Sequence, residues 1–455
     1  MAERLIPNQQ VAGSIPAAPA IRDRRWSRAA SPTKSGLAAC IALLLGACSS
    51  LPRRPVPAAL IEQAQLPGLA DIRSFGDTAD DRLVHRFIAS IERERDWLGI
   101  TADGTLPPAH FLALSGGGAN GAFGAGLLAG WSERGDRPEF KIVTGVSTGA
   151  LIAPFAFLGP RYDADLKELY TTLTTSDLVQ KRGVLSGLLG EAFEETAGLQ
   201  RLLEQHVDAT MLAEVAREHE RGRLLILSTT HMDAERPVIW SMGRIAASGH
   251  PDAPKLFRDV MVASASIPGA FPPVLFEVEV DGERYDEMHC DGGVTSQVFL
   301  YPPAFSFADL PDPRMARRER HLYVIRNGRL RADYAAVERG TLSIAARAVA
   351  TLVKTQGIGD LYRIYLGCQR DGIEFNLASI PDTFVARPAE FFDPAYMSEL
   401  YATGRAAMLT GSPWQTAPPG FHPPEPAEHP DATTAPPQAR ALPHQRSKAI
   451  APGSP

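Results

Sequence analysis

The sequence feature that most constrains the fold is the stretch of residues 141–153. Residues 141–144 are rich in β-branched side chains and predict a buried strand. Gly-Val-Ser-Thr-Gly follows at residues 145–149, and residues 150–153 predict a helix. Glycines on both sides let strand and helix approach closely while the serine between them takes a strained backbone. The pattern predicts an elbow that presents the Ser147 hydroxyl at a helix amino terminus, where amide donors stabilise a developing oxyanion.

Composition excludes several classes of protein. The 455 residues are 44% hydrophobic and 22% charged, which is typical of a globular protein with a sizeable core. A net charge of −6 gives no indication of nucleic-acid binding, and four cysteines do not make a disulfide scaffold. Beyond the first fifty residues, no stretch is long and apolar enough to predict a transmembrane helix. Gly-x-Ser-x-Gly is itself a loose motif, and a chance small-residue turn is the alternative.

The first 47 residues have the pattern of a signal peptide. Basic residues precede a short apolar core at residues 36–45, which ends in Leu-Gly-Ala-Cys-Ser-Ser at 45–50. This order resembles the lipobox of bacterial lipoproteins and implies lipidation of Cys48. An ordinary signal peptide cut elsewhere, or a buried helix with a chance cysteine, is the alternative. Because Ser49 is not an aspartate, the resemblance implies a lipid-anchored envelope protein on the periplasmic face of the outer membrane.

A glycine-rich run lies between a second strand signal and a second helix signal. Residues 111–114 are apolar, residues 115–121 read Ser-Gly-Gly-Gly-Ala-Asn-Gly, and residues 122–128 predict a helix of small residues. Such a run exposes backbone amides in a concavity suited to an anion. A P-loop is disfavoured because no Lys-Ser/Thr follows the last glycine. A dinucleotide loop is disfavoured because its motif fits only by sliding along the glycines.

Asp291 is the candidate general base. Asp291-Gly292-Gly293 follows an apparent strand over residues 285–290. Aspartate before two glycines is most often only a turn. Here the turn can present a carboxylate that accepts the proton of Ser147, and a serine nucleophile needs such a base near neutral pH.

Histidine and cysteine offer other interpretations. A Ser–His–Asp triad usually places histidine after the acid, but His321 begins a strand-like run and the later histidines lie in a low-complexity tail. His289 and Cys290 beside Asp291 suggest a metal, but two ligands without a third nearby are more typical of strand packing, so no metal is predicted. Cys290 and Cys368 form either a disulfide or two buried thiols.

Taken together, four motifs in register resemble the patatin-like phospholipase family. They are the glycine loop, the elbow, Ala-Ser-Ala-Ser-Ile-Pro at residues 263–268, and Asp-Gly-Gly at residues 291–293. The resemblance covers about residues 108–370. It implies an α/β fold, a three-layer α/β/α sandwich with a central, mostly parallel sheet. It also implies hydrolysis of acyl esters in lipids by a Ser–Asp dyad without histidine or cofactor.

The resemblance assigns roles to single residues of this chain. Ser147 becomes the nucleophile, Asp291 the general base, and the backbone amides around the first glycines and after the serine an oxyanion hole. The hole residues are Gly116, Gly117, Gly118 and Thr148, and the elbow and motif glycines are Gly121, Gly145, Gly149, Gly292 and Gly293. In one departure, Asn120 stands where many members have Arg or Lys, which bears on the preference for anionic head groups.

The resulting prediction is a serine lipid acyl hydrolase, an esterase similar to phospholipase A or lysophospholipases. Its partners are a membrane lipid or other acyl ester, with membrane tethering through Cys48 and no nucleic acid. An acyltransferase on the same fold is one alternative, and a catalytically silent lipoprotein that binds lipid or a protein partner is another. The sequence names no activating protein.

Four regions make up the predicted chain. Residues 1–47 are the signal peptide, 48–107 a Pro-rich tether and helical segment, 108–405 the patatin-like catalytic domain, and 411–455 a Pro-rich disordered tail. Within the catalytic domain, residues 342–366 predict a long amphipathic helix that flanks the sheet. Residues 8–16 can be back-translated onto the T-arm of a transfer-RNA gene, which predicts a reading frame that starts too far upstream.

Overall fold

A nine-stranded mixed sheet forms the centre of the protein. The computed structural model describes residues 52–421 apart from 79–80, 102–103, 179, 182–193, 304 and 311–316. The predicted signal peptide, Cys48 and the tail beyond residue 421 lie outside the described residues. The described elements all belong to one compact unit, Arg53–Pro455. None of the described helices is both long enough and apolar enough to cross a bilayer.

The strands are mostly short and buried. In chain order they are β1 Arg73–Phe75, β2 Ala109–Leu114, β3 Phe140–Gly145, β4 Gln180–Lys181, β5 Glu194–Glu195, β6 Leu224–His231, β7 Arg236–Ser241, β8 Val274–Val280, β9 Glu283–Asp291, β10 Arg320–Arg326 and β11 Glu374–Ser379. The main sheet has the order β1-β7-β6-β3-β2-β10-β11, with the β8–β9 hairpin paired to β6, and β4 and β5 pair separately. Five neighbouring strands, β6, β3, β2, β10 and β11, are parallel.

Helices cover both faces of the sheet. The described α-helices are α1 Asp81–Leu98, α2 Gly121–Arg134, α3 Thr148–Leu158, α4 Asp163–Thr171, α5 Thr175–Leu178, α6 Ala197–His206, α7 Ala209–Glu220, α8 Met242–Ala247, α9 Ala253–Ala265, α10 Thr341–Asp371 and α11 Pro394–Thr410. Short 3₁₀ helices occur at Ala58–Gln63, Gly118–Asn120, Pro160–Tyr162, Gly292–Val294 and Phe307–Asp309.

Side chains of each parallel strand alternate between two apolar cores. On β2, Leu112 and Leu114 join the larger core beneath α2, α3, α9 and α11, whereas Phe111 and Ala113 join a smaller core beneath α1 and α10. Strands buried on both faces read as continuous apolar runs, which is why β2 and β3 were recognisable in the sequence. The result is a three-layer α/β/α sandwich, and the predicted fold class is confirmed.

The structure differs from the predicted boundaries at both ends of the domain. Within the predicted tether, β1 pairs antiparallel with β7, because strand β7 otherwise ends the sheet with unpaired backbone groups. The predicted tail begins at residue 411, but Trp414 packs on Trp131 with ring centroids 5.0 Å apart. Gln415 also exchanges backbone hydrogen bonds with Leu377. Aromatic side chains between the prolines therefore extend the packed domain to residue 421.

The long helix α10 also differs from its prediction as an amphipathic flank of the sheet. Its carboxyl-terminal half buries Leu361, Tyr365 and Cys368 in the smaller core. Its amino-terminal half, before Gly357, has no buried residue. The apolar pattern of the sequence predicts the helix correctly, but it does not reveal that half of it lacks a partner.

Candidate active site

The elbow after β3 holds Ser147 in a strained conformation. Its φ is 54° and its ψ is −125°, and α3 begins at the next residue. A Cβ atom on Gly145 would lie 2.5 Å from the Gly149 carbonyl oxygen, and one on Gly149 would lie 2.3 Å from the Leu114 carbonyl oxygen. Only glycine fits at both positions. The close approach of β3, α3 and β2 therefore fixes Ser147 at the carboxyl end of the parallel strands.

A second serine supports the strained elbow. The backbone amide of Ser147 donates to Ser264 Oγ at 3.0 Å, and Ser264 Oγ donates to the Ser228 carbonyl oxygen at 2.7 Å. Ser264 is fully buried near the end of α9. Through this hydroxyl, the elbow is attached to β6.

Strand β6 brings the candidate base to the elbow. Gly145 pairs with Leu227 in parallel register, and Asp291 pairs with Thr229 in antiparallel register. Strand β3 ends at Gly145, so β9 continues along the same edge of β6 from the opposite direction. Two strands that are distant in sequence therefore meet end to end. Ser147, two residues after β3, and Asp291, the last residue of β9, therefore lie next to that meeting point.

The Asp291 carboxylate is buried and only partly satisfied. Its Oδ1 accepts the Gly293 amide at 2.7 Å, and its buried Oδ2 has no well-formed hydrogen bond among the described residues. Burial raises the pKa of Asp291 to about 6, although the nearby Ser147 hydroxyl and the Gly293 amide act in the opposite direction. A carboxylate with a raised pKa and a free oxygen close to a serine hydroxyl is suited to accept a proton.

The glycine loop after β2 is held from below by the end of β10. Ser115 Oγ accepts the Asn327 amide at 2.8 Å, and the Asn327 side-chain amide donates to the Ser115 carbonyl oxygen at 2.9 Å. A Cβ atom on Gly117 would lie 2.2 Å from the Asn327 carbonyl oxygen. Gly118 has a φ of 55°, which favours glycine. These contacts fix the loop in one conformation.

The backbone amides of the four residues predicted to form the oxyanion hole are not equivalent. The Gly116 amide donates to the Gln297 carbonyl oxygen at 3.0 Å and is therefore engaged. No acceptor within the described ranges pairs with the amides of Gly117, Gly118 or Thr148. A Cβ atom on Gly116 would lie 3.2 Å from Ser147 Cβ, so this glycine leaves room for the nucleophile.

The first turn of α2 packs against the start of α3. The Thr148 hydroxyl lies 2.6 Å from the buried Tyr170 hydroxyl, and burial raises the pKa of that phenol. A Cβ atom on Gly121 would lie 2.3 Å from Thr148 Oγ1. Asn120, which departs from the family pattern, accepts a hydrogen bond from the Tyr396 hydroxyl at 2.6 Å. This hydrogen bond ties the glycine loop to α11.

An apolar cleft that is open to solvent begins at the elbow. Gly118, Ser147 and Thr148 lie in its wall. Most of its other residues are leucine or phenylalanine, including Leu151, Phe155, Leu199, Leu202, Phe271 and Phe391. Apolar walls next to unpaired amides and a serine hydroxyl suit a ligand with a hydrocarbon chain and a carbonyl group.

Histidine does not reach the serine through any hydrogen bond in the described structure. His206 lines the same cleft and lies 3.4 Å from Asp165, but no bond connects it to Ser147. His321 lies between Glu319 and Glu374 at the start of β10, at the opposite end of the sheet from the cleft. The geometry favours the carboxylate as the partner of the serine.

A buried polar cluster lies on β6 and β9, close to the strand end that carries Asp291. The ligand atoms of His231, Glu287 and His289 all fall within 4.8 Å of one another, which is compatible with a metal ion. However, Arg73 donates to both carboxylate oxygens of Glu287. A cation would have to displace Arg73, so the donor set fits a buried ion-pair network better than a metal centre.

Protonation in this cluster follows from burial. Burial lowers the pKa of His289 to about 4, despite its contact with Glu287, so the ring is neutral near pH 7. Although burial alone would raise it, Arg73 holds the pKa of Glu287 well below its usual range. His289 Nδ1 lies 2.8 Å from Thr229 Oγ1. Since Thr229 pairs with Asp291, the cluster braces the strand end that carries the carboxylate.

The two cysteines within the described residues are free and buried. Cys290 Sγ lies 3.0 Å from Met232 Sδ, whereas Cys368 lies in the smaller core. Of the two interpretations of Cys290 and Cys368, the structure has the buried thiols and not the disulfide. Burial, and then the charge of Asp291, raise the pKa of Cys290 to about 12.

Sequence reasoning missed the residues that support the site. Ser264 belongs to a recognised motif, but nothing in the sequence gives it a hydrogen-bond partner. Asn327 and Gln297 hold the glycine loop from distant parts of the chain. The one available signal is positional, because Asn327 follows a parallel strand and the carboxyl ends of such strands meet at one edge. Arg73 lies in a region predicted to be a tether.

Part of the chain is similar to known proteins. Residues 112–303 match the family model for patatin-like phospholipase. VipD from Legionella pneumophila is 12% identical, with coverage of 68% of this chain and 69% of that chain and a TM-score of 0.33. Human GIVD cytosolic phospholipase A2 is 11% identical, with coverage of 70% and 55% and a TM-score of 0.30. No curated protein matches the chain.

A further similar structure contains full-length SpcU in complex with full-length ExoU from the type III secretion system of Pseudomonas aeruginosa. It is 13% identical, with coverage of 68% of this chain and 54% of that chain and a TM-score of 0.27. The chain thus spans little more than half the length of two of these three structures. The match at residues 112–303 contains the glycine loop, the elbow and Asp291, and over these residues the chain is similar to patatin-like phospholipases.

Proposed function

We propose that the protein is a serine acyl hydrolase that cleaves ester-linked acyl chains of lipids with a Ser147–Asp291 dyad. The observation that carries the proposal is the joint position of three features at one edge of the sheet. They are the strained Ser147, the Asp291 carboxylate with its unpaired oxygen, and the apolar cleft. The match of residues 112–303 to the patatin-like phospholipase model supports lipid hydrolysis in general. The dyad and the roles of single residues are the finer proposal.

In the first half-reaction, Ser147 Oγ attacks the acyl carbonyl carbon while Asp291 takes the hydroxyl proton. The negative charge that develops on the carbonyl oxygen is stabilised by the amides of Gly117, Gly118 and Thr148, at the amino terminus of α3. Collapse of this intermediate breaks the ester C–O bond. The departing alcohol takes the proton from Asp291, and the acyl group remains on Ser147 as an ester.

In the second half-reaction, Asp291 takes a proton from water, and the resulting hydroxide adds to the acyl-enzyme carbonyl. The same amides stabilise the second oxyanion. Collapse breaks the bond to Ser147 Oγ, which recovers its proton from Asp291, and the carboxylic acid leaves. If an alcohol replaces water in this step, the product is a new ester, so acyl transfer is the second candidate activity.

The cleft supports a long-chain acyl group as the part of the substrate that is recognised. Its leucine and phenylalanine walls offer hydrocarbon contacts, and no acidic side chain lines it among the described residues. We therefore expect phospholipase A or lysophospholipase-like activity, with higher kcat/KM for long acyl chains than for short ones.

We also propose a location, which rests on sequence alone. Lipidation of Cys48 would tether the domain through residues 49–52 to the periplasmic face of the outer membrane. Metabolic labelling with an alkyne fatty acid tests this anchor. The label should appear on the unsubstituted chain and be absent from Cys48→Ser. Equal labelling of the two chains would contradict the anchor and leave the enzymatic proposal untouched.

Labelling with a fluorophosphonate probe tests the enzymatic proposal. The chain from residue 49 onward, which contains the whole compact unit, is compared with its Ser147→Ala variant. A short-chain nitrophenyl ester assay is run in parallel. We expect labelling and turnover that both require Ser147. A folded protein that shows neither would contradict hydrolysis and favour the catalytically silent lipid-binding alternative.

A further inference from the structure

The amino-terminal half of α10 is an apolar helix without a packing partner in the described structure. Between residues 342 and 353 its only charged side chain is Arg347. Leu342 is 85% exposed, Leu352 is 69% exposed, and Ile344 and Val349 are also exposed. Exposed apolar surface on this scale is unfavourable in water and marks an interaction site.

The exposed half-helix is fixed to the loop that follows β10. Arg347 and Lys354 donate to the carbonyl oxygens of Asp333 and Arg331, respectively. Lys354 also forms an ion pair with Asp333 at 3.1 Å. These two cations form the polar side of the half-helix, and they contact the loop after β10. The apolar side chains are left facing outward.

The same loop connects this surface to the mouth of the cleft. The Tyr334 carbonyl oxygen accepts a hydrogen bond from Arg387 at 3.3 Å. The segment that contains Arg387 also carries Val385 and Phe391, both exposed. Phe391 lines the cleft of Ser147. The loop and this segment therefore link the exposed apolar side chains of α10 to a residue of the cleft, and we treat these side chains as one surface. We call it the docking face, and its members are Tyr334, Leu342, Ile344, Val349, Leu352, Val385 and Phe391.

The charge around the docking face has the opposite sign to that of the whole chain. Residues 329–354 carry five Lys or Arg and two Asp or Glu. Arg329 and Lys354 pair with Asp333, and Arg331 pairs with Asp382 outside this range, so the segment keeps a small positive excess, whereas the chain has a net charge of −6. A symmetric contact with a second copy would bring two such positive segments together, which costs electrostatic energy. A surface of anionic phospholipids attracts the net positive charge of this segment and accepts the apolar side chains.

We propose that the docking face rests on an anionic phospholipid surface and delivers lipid molecules from it directly into the cleft. The inference rests on the proposed function only in taking a lipid as the substrate. The exposed stretch is shorter than the roughly 20 residues that span a bilayer, so it lies along the interface as an amphipathic anchor does. This contact is independent of Cys48, because it is made by the folded domain itself.

Cosedimentation with vesicles tests the proposal without catalysis. The chain from residue 49 onward carries Ser147→Ala and is mixed with vesicles of phosphatidylcholine, or of equal parts phosphatidylcholine and phosphatidylglycerol. We expect binding to the anionic vesicles that weakens with salt. Leu342→Glu with Leu352→Glu should lower the partition coefficient at least about ten-fold. The matched control is Leu98→Glu with Leu409→Glu, two exposed leucines outside the docking face, and it should bind unchanged.

Each outcome has a defined meaning. Equal binding of the docking-face variant and the unsubstituted chain, or no binding of either, overturns the proposal. A dimer in sedimentation equilibrium that the two substitutions dissociate, without an effect on vesicles, would assign the docking face to a second copy. If the glutamate variant does not fold, Leu342→Gln with Leu352→Gln replaces it. The short-chain ester assay of the unsubstituted chain tests hydrolysis separately, so failure there leaves the vesicle result valid.

Discussion

The backbone amide of Ser147 donates its hydrogen bond to the hydroxyl of Ser264 and not to a main-chain acceptor. The same hydroxyl donates to the Ser228 carbonyl oxygen, so one side chain satisfies two backbone groups in a fully buried place. A residue at positive φ costs free energy, and it persists only if the surroundings hold it. Ser264 supplies such support directly to the backbone of Ser147.

Ser264→Ala should therefore weaken the elbow. It leaves a buried donor and a buried acceptor unpaired, which costs about 1–3 kcal/mol of unfolding free energy. Thermal unfolding and kcat for a soluble ester measure the two effects. Ser266→Ala is the control, because Ser266 Oγ donates only to the Val262 carbonyl oxygen within the end of α9. A kcat that falls equally in both variants would contradict a specific role for Ser264.

Asp291→Asn should abolish turnover while the fold is retained. The asparagine side chain can still accept the hydrogen bond from the Gly293 amide, which lies 2.7 Å from Asp291 Oδ1 in the unsubstituted protein. However, it cannot take a proton. Loss of general-base catalysis lowers kcat by about 10²–10⁴-fold. Asp371→Asn, in another buried carboxylate bonded to Tyr301 and Ser306, should retain turnover. Near-normal hydrolysis by Asp291→Asn would remove the dyad from the mechanism.

The pH dependence of kcat/KM should report the ionisation of Asp291. Burial raises the pKa of this carboxyl to about 6. A general base works only when it is ionised, so kcat/KM should rise with pH through about 6 and then level off. An activity profile that is flat down to pH 4 would show that Asp291 is either not the base or not raised in pKa.

The contribution of Asp291 to the free energy of unfolding should fall as pH rises, whereas kcat/KM should increase. Because the folded pKa of Asp291, about 6, exceeds the ordinary aspartate pKa of 3.8, its contribution to the free energy of unfolding is fully present below about pH 4. That contribution is lost as pH rises through 6. Asp291→Asn stays neutral, so it should be more stable than the unsubstituted protein at pH 8, by about 3 kcal/mol at most. The difference in Tm should vanish near pH 4, and a difference that is constant across this range would contradict the assignment.

Gly117→Ala should displace the glycine loop. The new Cβ atom would lie 2.2 Å from the Asn327 carbonyl oxygen, so the loop or the end of β10 must move. We expect at least a 10²-fold loss of kcat, the size seen when an oxyanion donor is removed. Gly359→Ala in α10 is the control, because nothing lies within 4 Å of its Cβ position. It should leave kcat unchanged and raise stability by about 0.5–1 kcal/mol.

The sequence predicted the parts of the site that depend on local backbone geometry. The elbow at Ser147 and the turn at Asp291 need glycines at fixed offsets, and those offsets are visible in one dimension. The engaged amide of Gly116 was not predictable, because its acceptor, Gln297, is brought to the loop only by the folded sheet. The network of Arg73 with Glu287 was missed for the same reason.

Exposure was the other property that sequence patterns did not reveal. The apolar run in α10 predicts a helix, but burial depends on what the rest of the chain places beside it. Leu361 meets the smaller core, whereas Leu342, in the same helix, has no partner in the described structure. Strand β1 was not predicted for the same reason, since Arg73–Phe75 becomes a strand only because β7 offers a free edge.

The pairing of β3 and β9 with β6 also sets the order in which the two proposed catalytic residues become available during synthesis. A growing chain releases Ser147 from the ribosome long before Asp291, and β9 cannot pair with Thr229 until it has been made. Until then the elbow has a serine without a base. If the proposed dyad is correct, a chain that ends before β9 lacks its general base and should not hydrolyse lipids.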